Sequence, residues 1–193
     1  YPDDAFFSAP GNFTVDGGVM DVIFKYRDLG RDPKFEDGRD NWKGVDTGAF
    51  LTWLRDEKEP TFSEPERGII PLGKNNVDIV VNSNVLLMLG LAGDKKAPGY
   101  GETVNLLTKA VFQKVWPAAG LYYPQNMIFP YTVTRAYRDG GNEALRPAMK
   151  KLVRDLIDEQ KMYSKTENSK LGAFPGGEDK TDYLSTALGL ISL

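Results

Sequence analysis

The chain is 193 residues long and 41% hydrophobic, with 24 basic against 27 acidic side chains and a formal net charge of −3. That length suits one domain with a buried core, and the interspersed charges leave no basic stripe of the kind nucleic acid requires. Cys and His are both absent, which removes disulfides, thiol nucleophiles, imidazole bases and the usual zinc ligands; no cofactor or metal is expected, and only an all-oxygen calcium or magnesium site is compatible with the side chains present.

The chain opens at Tyr1-Pro2 with neither Met nor a signal-like segment, as a processed or trimmed piece would; this leaves the compartment open. Residues 15–30 read as a first helix, with Val15, Val19, Val22, Ile23 and Tyr26 on one face and Gly30 as its C-terminal cap. Gly17-Gly18 weakens a helix interior and so marks the helix entry or a close backbone approach. Residues 31–76 form a long connection rich in Asp, Pro, Gly and Lys, with one apolar island, GAFLTWL, at 48–54. A short strand or β-hairpin is expected there.

Residues 77–91 are apolar nearly all round, as in a helix covered on every side, although the β-branched residues at 77–81 would also suit a strand. Residues 102–116 carry Val104, Leu107, Val111, Phe112 and Val115 on one face, and Pro117 stops that helix. A third apolar segment covers 126–138. Residues 143–162 show a stripe of Ala148, Leu152, Val153, Leu156 and Ile157 with Lys and Arg opposite, and 182–193 is apolar again. No apolar run approaches the ~18–20 residues that cross a bilayer, so no membrane span is expected.

Buried and amphipathic helices thus alternate, as two concentric layers require. A Gly-x-aromatic turn precedes each inner helix: Gly48-Ala49-Phe50 before Asp78, Gly120-Leu121-Tyr122-Tyr123-Pro124 before IFPYTVTRAY, and Gly172 with Phe174 before Asp182. Self-similarity at a period of about fifty residues marks stacked helical hairpins. The expected fold is all-α, an α/α toroid or a sector of one, with an open superhelix of hairpins as the alternative. One domain over 1–193 is expected, incomplete at one or both ends, with a further domain or subunit completing the ring.

Gln160, Gly172, Phe174, Asp182, Ser185-Thr186-Ala187-Leu188 and Leu190 together resemble the repeat of the terpenoid cyclase and protein prenyltransferase superfamily. GAFLTWL followed by VDIVVNSNVLLMLGL is similar to bacterial squalene-cyclase-like proteins. The resemblance covers roughly residues 45–193 and implies a toroid with a central cavity. Its departures matter. The Asp-x-Asp-Asp acid of the class II cyclases has no counterpart, Asp3-Asp4 and the Asp16…Asp21 pair being the nearest approaches. The zinc-binding Asp, Cys and His of the prenyltransferases and the thioester Cys of the complement relatives are missing too. What the resemblance implies is binding of an apolar or amphipathic small molecule in the cavity.

Asp78 and Asn82 are spaced to share a helix face, either lining that cavity or, for Asp78, capping the helix while Asn82 and Asn84 bond backbone. Recurrence of the Asp at 182 favours the cap. Tyr131 and Arg135, with Thr132 and Thr134, are candidates for ligand contact or for proton abstraction beside a carboxylate; stacking and ion pairing within the ring is the other reading. Trp53 and Phe50 would line a cleft or fill the core. Asn12-Phe13-Thr14 matches a glycosylation acceptor. Two further functions compete: a carbohydrate-active α/α-barrel enzyme, either polysaccharide lyase or glycoside hydrolase, and a non-catalytic protein-binding scaffold.

Overall fold

The computed structural model describes residues 16–30, 42, 45–54, 77–123, 125–163, 165, 173–174 and 183–193. Among them the protein is all-α: α1 (Gly17–Lys25), α2 (Ile79–Leu91), α3 (Tyr100–Phe112), α4 (Ile128–Arg138), α5 (Arg146–Tyr163) and α6 (Tyr183–Ser192), with a short 3-10 turn at Glu143–Leu145 before α5. Most of the long connection, Gly172, Asp182, the Asp3-Asp4 pair, Val15 and the Asn12 acceptor lie outside the described residues.

Asp16 caps α1 by accepting the Gly18 amide at 2.8 Å, so the glycine pair does mark the helix entry. The helix stops at Lys25, well short of Gly30. The reason lies in residues distant in sequence. The Asp28 amide donates to the Ala49 carbonyl at 2.8 Å, and the Leu51 amide donates to the Tyr26 carbonyl at 3.0 Å. These bonds draw the chain after α1 into an extended segment. They also replace the hairpin expected at 48–54: among the described residues the one β feature is an isolated antiparallel bridge between Arg27 and Phe50. The apolar island pairs with the segment after α1 instead of with itself.

The β-branched start of residues 77–91 forms a helix because Asp78 accepts the Val80 and Val81 amides at 2.7 and 3.0 Å, satisfying first-turn donors that have no carbonyl partner. Helix α3 ends at Phe112, before Pro117 is reached. Lys114 adopts the left-handed conformation (φ 54°); its amide bonds the Val111 carbonyl and the Val115 amide bonds that of Ala110, both at 3.1 Å. This is the closing geometry that usually takes glycine.

Helix α2 packs against α3 and α4, α4 against α5 and α6, and α3 against α5. Helices α2, α4 and α6 therefore run as successive neighbours in one row, and α3 and α5 are neighbours in a second. The second row is amphipathic as expected, except that Phe112 of α3, expected on the covered face, is exposed. Leu106, Leu107 and Val111 of α3 and Ala148, Leu152 and Leu156 of α5 are buried, while Glu102, Asn105, Lys109, Lys150 and Arg154 face water. In the first row, Ile79, Val80, Leu86 and Leu89 of α2 are buried, and Phe129 of α4 stacks on Trp116 with ring centroids 6.4 Å apart. Helix α6 departs from the expected complete burial: Leu184, Leu190 and Ile191 are each at least half exposed.

Two glycines let α2 and the turn after α4 touch backbone to backbone. A Cβ on Gly90 would stand 2.2 Å from the Gly140 carbonyl oxygen. Beside that contact, Asn142 donates to the Leu86 and Ala136 carbonyls at 2.9 and 2.7 Å and accepts the Tyr100 hydroxyl at 2.9 Å. One buried amide thereby ties three helices together. No helix among the described residues is long and apolar enough to cross a membrane.

Candidate functional site

Asn82 sits at the junction of α2, α3 and the Gly48–Phe50 loop. Its Oδ1 accepts the Phe50 amide at 3.0 Å and the Thr103 hydroxyl at 3.4 Å, and its Nδ2 donates to the carbonyls of Phe50 and Asp78, both at 2.9 Å. An Asn side chain has two donor hydrogens and two good acceptor directions. All four are taken, and the residue is fully buried. The amide behaves as a neighbouring strand would, completing Phe50 on the side opposite Arg27.

The same device recurs. The Phe174 amide donates to Thr186 Oγ1 at 3.1 Å, and Thr186 Oγ1 lies 3.4 Å from the Phe174 carbonyl oxygen as its donor. Thr186 stands four residues after Asp182, as Asn82 stands four after Asp78. In both places a polar side chain from the first turns of a first-row helix holds the backbone of the aromatic residue in the preceding Gly-x-Phe sequence.

Asp78 is also fully buried. Its own amide donates to Thr52 Oγ1 at 3.0 Å. Desolvation raises its pKa, while the amides of Val81, Val80, Leu121 and Tyr122 act to lower it. Its Oδ2 is buried without a hydrogen-bond partner. The aspartate thus caps α2. Burial, and after it the charge of Asp78, raises the pKa of Tyr123.

A second buried carboxylate, Asp28, was not singled out by its sequence. Its Oδ2 accepts both the amide and the hydroxyl of Thr47 at 2.7 Å, while Oδ1 is buried with no hydrogen-bond partner. Burial raises its pKa, the Thr47 bonds lower it, and the charge of Asp46 raises it further. Arg27 beside it donates to the Gly48 carbonyl at 2.9 Å and pairs with Glu102 at 2.8 Å. Nothing in the local spacing marks these residues, because their partners lie 19 to 75 positions away.

The remaining candidates occupy other places. Phe50 is core, buried against Gly99, so it does not share a cleft with Trp53. Trp53 is 41% exposed and donates from Nε1 to the Tyr122 hydroxyl at 2.8 Å, with the two rings edge to face at 5.3 Å. Tyr131 and Arg135 do come together on α4: the guanidinium lies 5.8 Å from the ring centroid, a cation–π contact. Arg135 also pairs with Asp139 at 3.3 Å, as does Arg138 at 2.7 Å. Burial opposes ionisation of Asp139, but the two guanidinium groups outweigh it and lower its pKa. Tyr131 and Arg135 are half-buried and Arg138 is exposed, all on one stripe of α4. Thr132 faces inward and bonds the Ile128 and Phe129 carbonyls, both at 3.1 Å.

On the far side of α3, a groove of about 190 Å³ lies between Trp42, Asp46, Glu102, Asn105 and Lys109, with the Lys109 ammonium 5.7 Å from the Trp42 ring centroid. Among the described residues no three carboxylates converge to hold a metal ion. Comparison of the chain with protein-family models, curated proteins and solved structures returns no match.

Proposed function

We propose that the chain is a sector of a squalene-cyclase-like α/α toroid, completed by another domain or subunit, that binds an apolar or amphipathic small molecule along its first row of helices. The observation that carries the reading is the Tyr131–Arg135 pair on α4. It is the cationic and aromatic contact among the sequence candidates that keeps access to solvent, while Asp78 and Asn82 are occupied inside the protein. A half-exposed guanidinium braced by Asp139 and a tyrosine ring suits a carboxylate or phosphate head group. Apolar neighbours in the same row suit a hydrocarbon tail. The two-row arrangement and the repeated hold on Phe50 and Phe174 support the toroid part of the reading.

Titration of the 193-residue chain with a fluorescent polyene carboxylate tests it. Saturable binding is expected, weakened at least fivefold in Arg135→Gln with an unchanged melting curve. The same affinity in that variant, or no saturable binding at all, would overturn the reading. Replacing Trp53 by Ala serves as the comparison for an aromatic platform: a carbohydrate-active site would lose oligosaccharide affinity there while Arg135→Gln would not.

A further inference from the structure

Tyr131, Arg135 and Arg138 stand at i, i+4 and i+7 of α4, which puts them on one stripe of the helix. Asp139, just past the helix end, holds both arginines. Its Oδ2 accepts Nε of Arg135 at 3.3 Å, and its Oδ1 accepts Nε of Arg138 at 2.7 Å. The two guanidinium groups are therefore fixed side by side on the two oxygens of one carboxylate. Each is engaged through Nε alone: among the described residues no hydrogen bond uses a terminal Nη amine of either arginine. The two side chains are 40% and 56% exposed. Asp139 raises the Arg138 pKa, first through its hydrogen bond, and Tyr131 adds a smaller push in the same direction. The phenol thus belongs to the same cluster, with its ring against Arg135. Two guanidinium charges against one carboxylate leave a surplus positive charge on this stripe.

We propose that this stripe is a phosphomonoester site, in which Arg138 supplies a second guanidinium fork beside that of Arg135 and so selects a tetrahedral head group over a carboxylate. This rests on the proposed reading of Tyr131 and Arg135 as the head-group contact, and it chooses between the two head groups that reading allows. A carboxylate has two oxygens in one plane, and a single guanidinium satisfies both. A phosphomonoester presents three oxygens in different directions and carries a charge of roughly −1.5 to −2 at pH 7. One arginine leaves its third oxygen and its second charge unmatched. Arg138 and the Tyr131 hydroxyl supply the further donors. By taking both Nε atoms, Asp139 holds the two forks in place before any ligand arrives, so less side-chain freedom is lost on binding. A phosphodiester keeps only two free oxygens and one charge, and it ranks with the carboxylate. The same chemistry is presented by a soluble phosphomonoester and by phosphatidic acid at a bilayer surface.

Methyl phosphate, titrated into the 193-residue chain and followed by its phosphorus NMR linewidth, isolates the head group from any tail. Saturable broadening is expected. Acetate and dimethyl phosphate should compete about fivefold more weakly, the factor that one further hydrogen bond supplies. Arg138→Gln should abolish that preference with an unchanged melting curve. Arg138→Lys, which keeps the charge and loses the fork, should restore only part of it. Sedimentation with phosphatidylcholine vesicles, with and without phosphatidic acid, separates the two sources. Binding to the acid-containing vesicles that methyl phosphate displaces assigns the lipid head group, and methyl phosphate binding without it assigns a soluble ester. No saturable broadening, equal affinity for acetate, or a preference untouched by Arg138→Gln would each overturn the proposal. Those failures leave the polyene carboxylate titration at Arg135 free to succeed. A chain that binds methyl phosphate but no polyene has the head-group site without the hydrocarbon cavity, so the two readings fail separately.

Discussion

Asp78 serves as the N-terminal cap of α2, a duty that requires a buried oxygen acceptor. Replacing it with Ala leaves the Val80 and Val81 amides without their acceptor. The expected cost is ~0.5–2 kcal/mol, toward the upper part because the site is fully buried, with polyene binding unchanged. Asp78→Asn keeps the acceptor and removes the charge, so it should lie nearer the wild type. The pH dependence has a definite sign. A carboxyl whose folded pKa is raised binds protons more readily folded than unfolded, so its ionisation costs stability above the folded pKa. The cost is relieved as pH falls toward the unfolded value. Asp28 acts in the same direction, while Asp139, held low by Arg138 and Arg135 despite its burial, acts in the opposite one. Subtracting the Asp78→Asn melting curve from that of the wild type isolates one group. The wild type should gain stability relative to the variant between pH 7 and the ordinary carboxylate range, and a relative loss would show that Asp78 is not the strained acid.

At the scale of elements, the paired holds on Phe50 and Phe174 allow one helix to inform another. Asn82→Ala strands a buried amide and a buried carbonyl at Phe50, each costing about 1–3 kcal/mol, so urea denaturation should show a loss of about 2–6 kcal/mol for the pair. Asn82→Thr installs the side chain that already bonds the amide and carbonyl of Phe174 from Thr186, and it should recover a substantial part of that loss. If Thr proves no better than Ala, the two sites are not equivalent. This equivalence was legible in the residues, since a Gly-x-Phe sequence, an Asp and a polar residue four places on occur in both copies. The end of α1 was not legible. It is set by Asp28, Thr47 and Ala49 across a connection whose own pattern carries no trace of the pairing, and the hairpin expected at 48–54 failed for the same reason. The C-terminus of α3 misled in another way: Pro117 announced a stop, but the helix had already closed at Lys114, a residue that gives no sign of a left-handed turn.

For the whole molecule, the apolar and amphipathic periodicities were enough to show an all-α chain. The expected alternation of covered and half-wet helices holds fully for α2, α3 and α5 only, since α4 carries the exposed stripe of Arg138 and α6 is half exposed. Which first-row polar residues face solvent was a finer matter. Asp78, Asn82 and Arg135 look alike as polar interruptions of apolar segments, yet two are consumed by backbone groups and one is not, and only the paths of neighbouring loops decide between them. That division bears on chemistry. Protonating an alkene requires a carboxylic acid kept protonated by a neighbouring carboxylate. Asp78 has a raised pKa, but it is sealed from solvent with Oδ1 taken by the Val80 and Val81 amides, so a substrate carbon cannot reach it. The exposed stripe of α4 supplies Tyr131, Arg135 and Arg138, none of which is an acid of that strength, and the one carboxylate paired with them, Asp139, is held ionised. Incubation of the purified chain with squalene, followed by mass spectrometry, should therefore yield no cyclic product above a boiled control. Asp78→Asn should leave that result unchanged. Cyclic product from the wild type that disappears in Asp78→Asn would mean that the capping aspartate is released from its amides and opened to substrate, reversing the role assigned to it here.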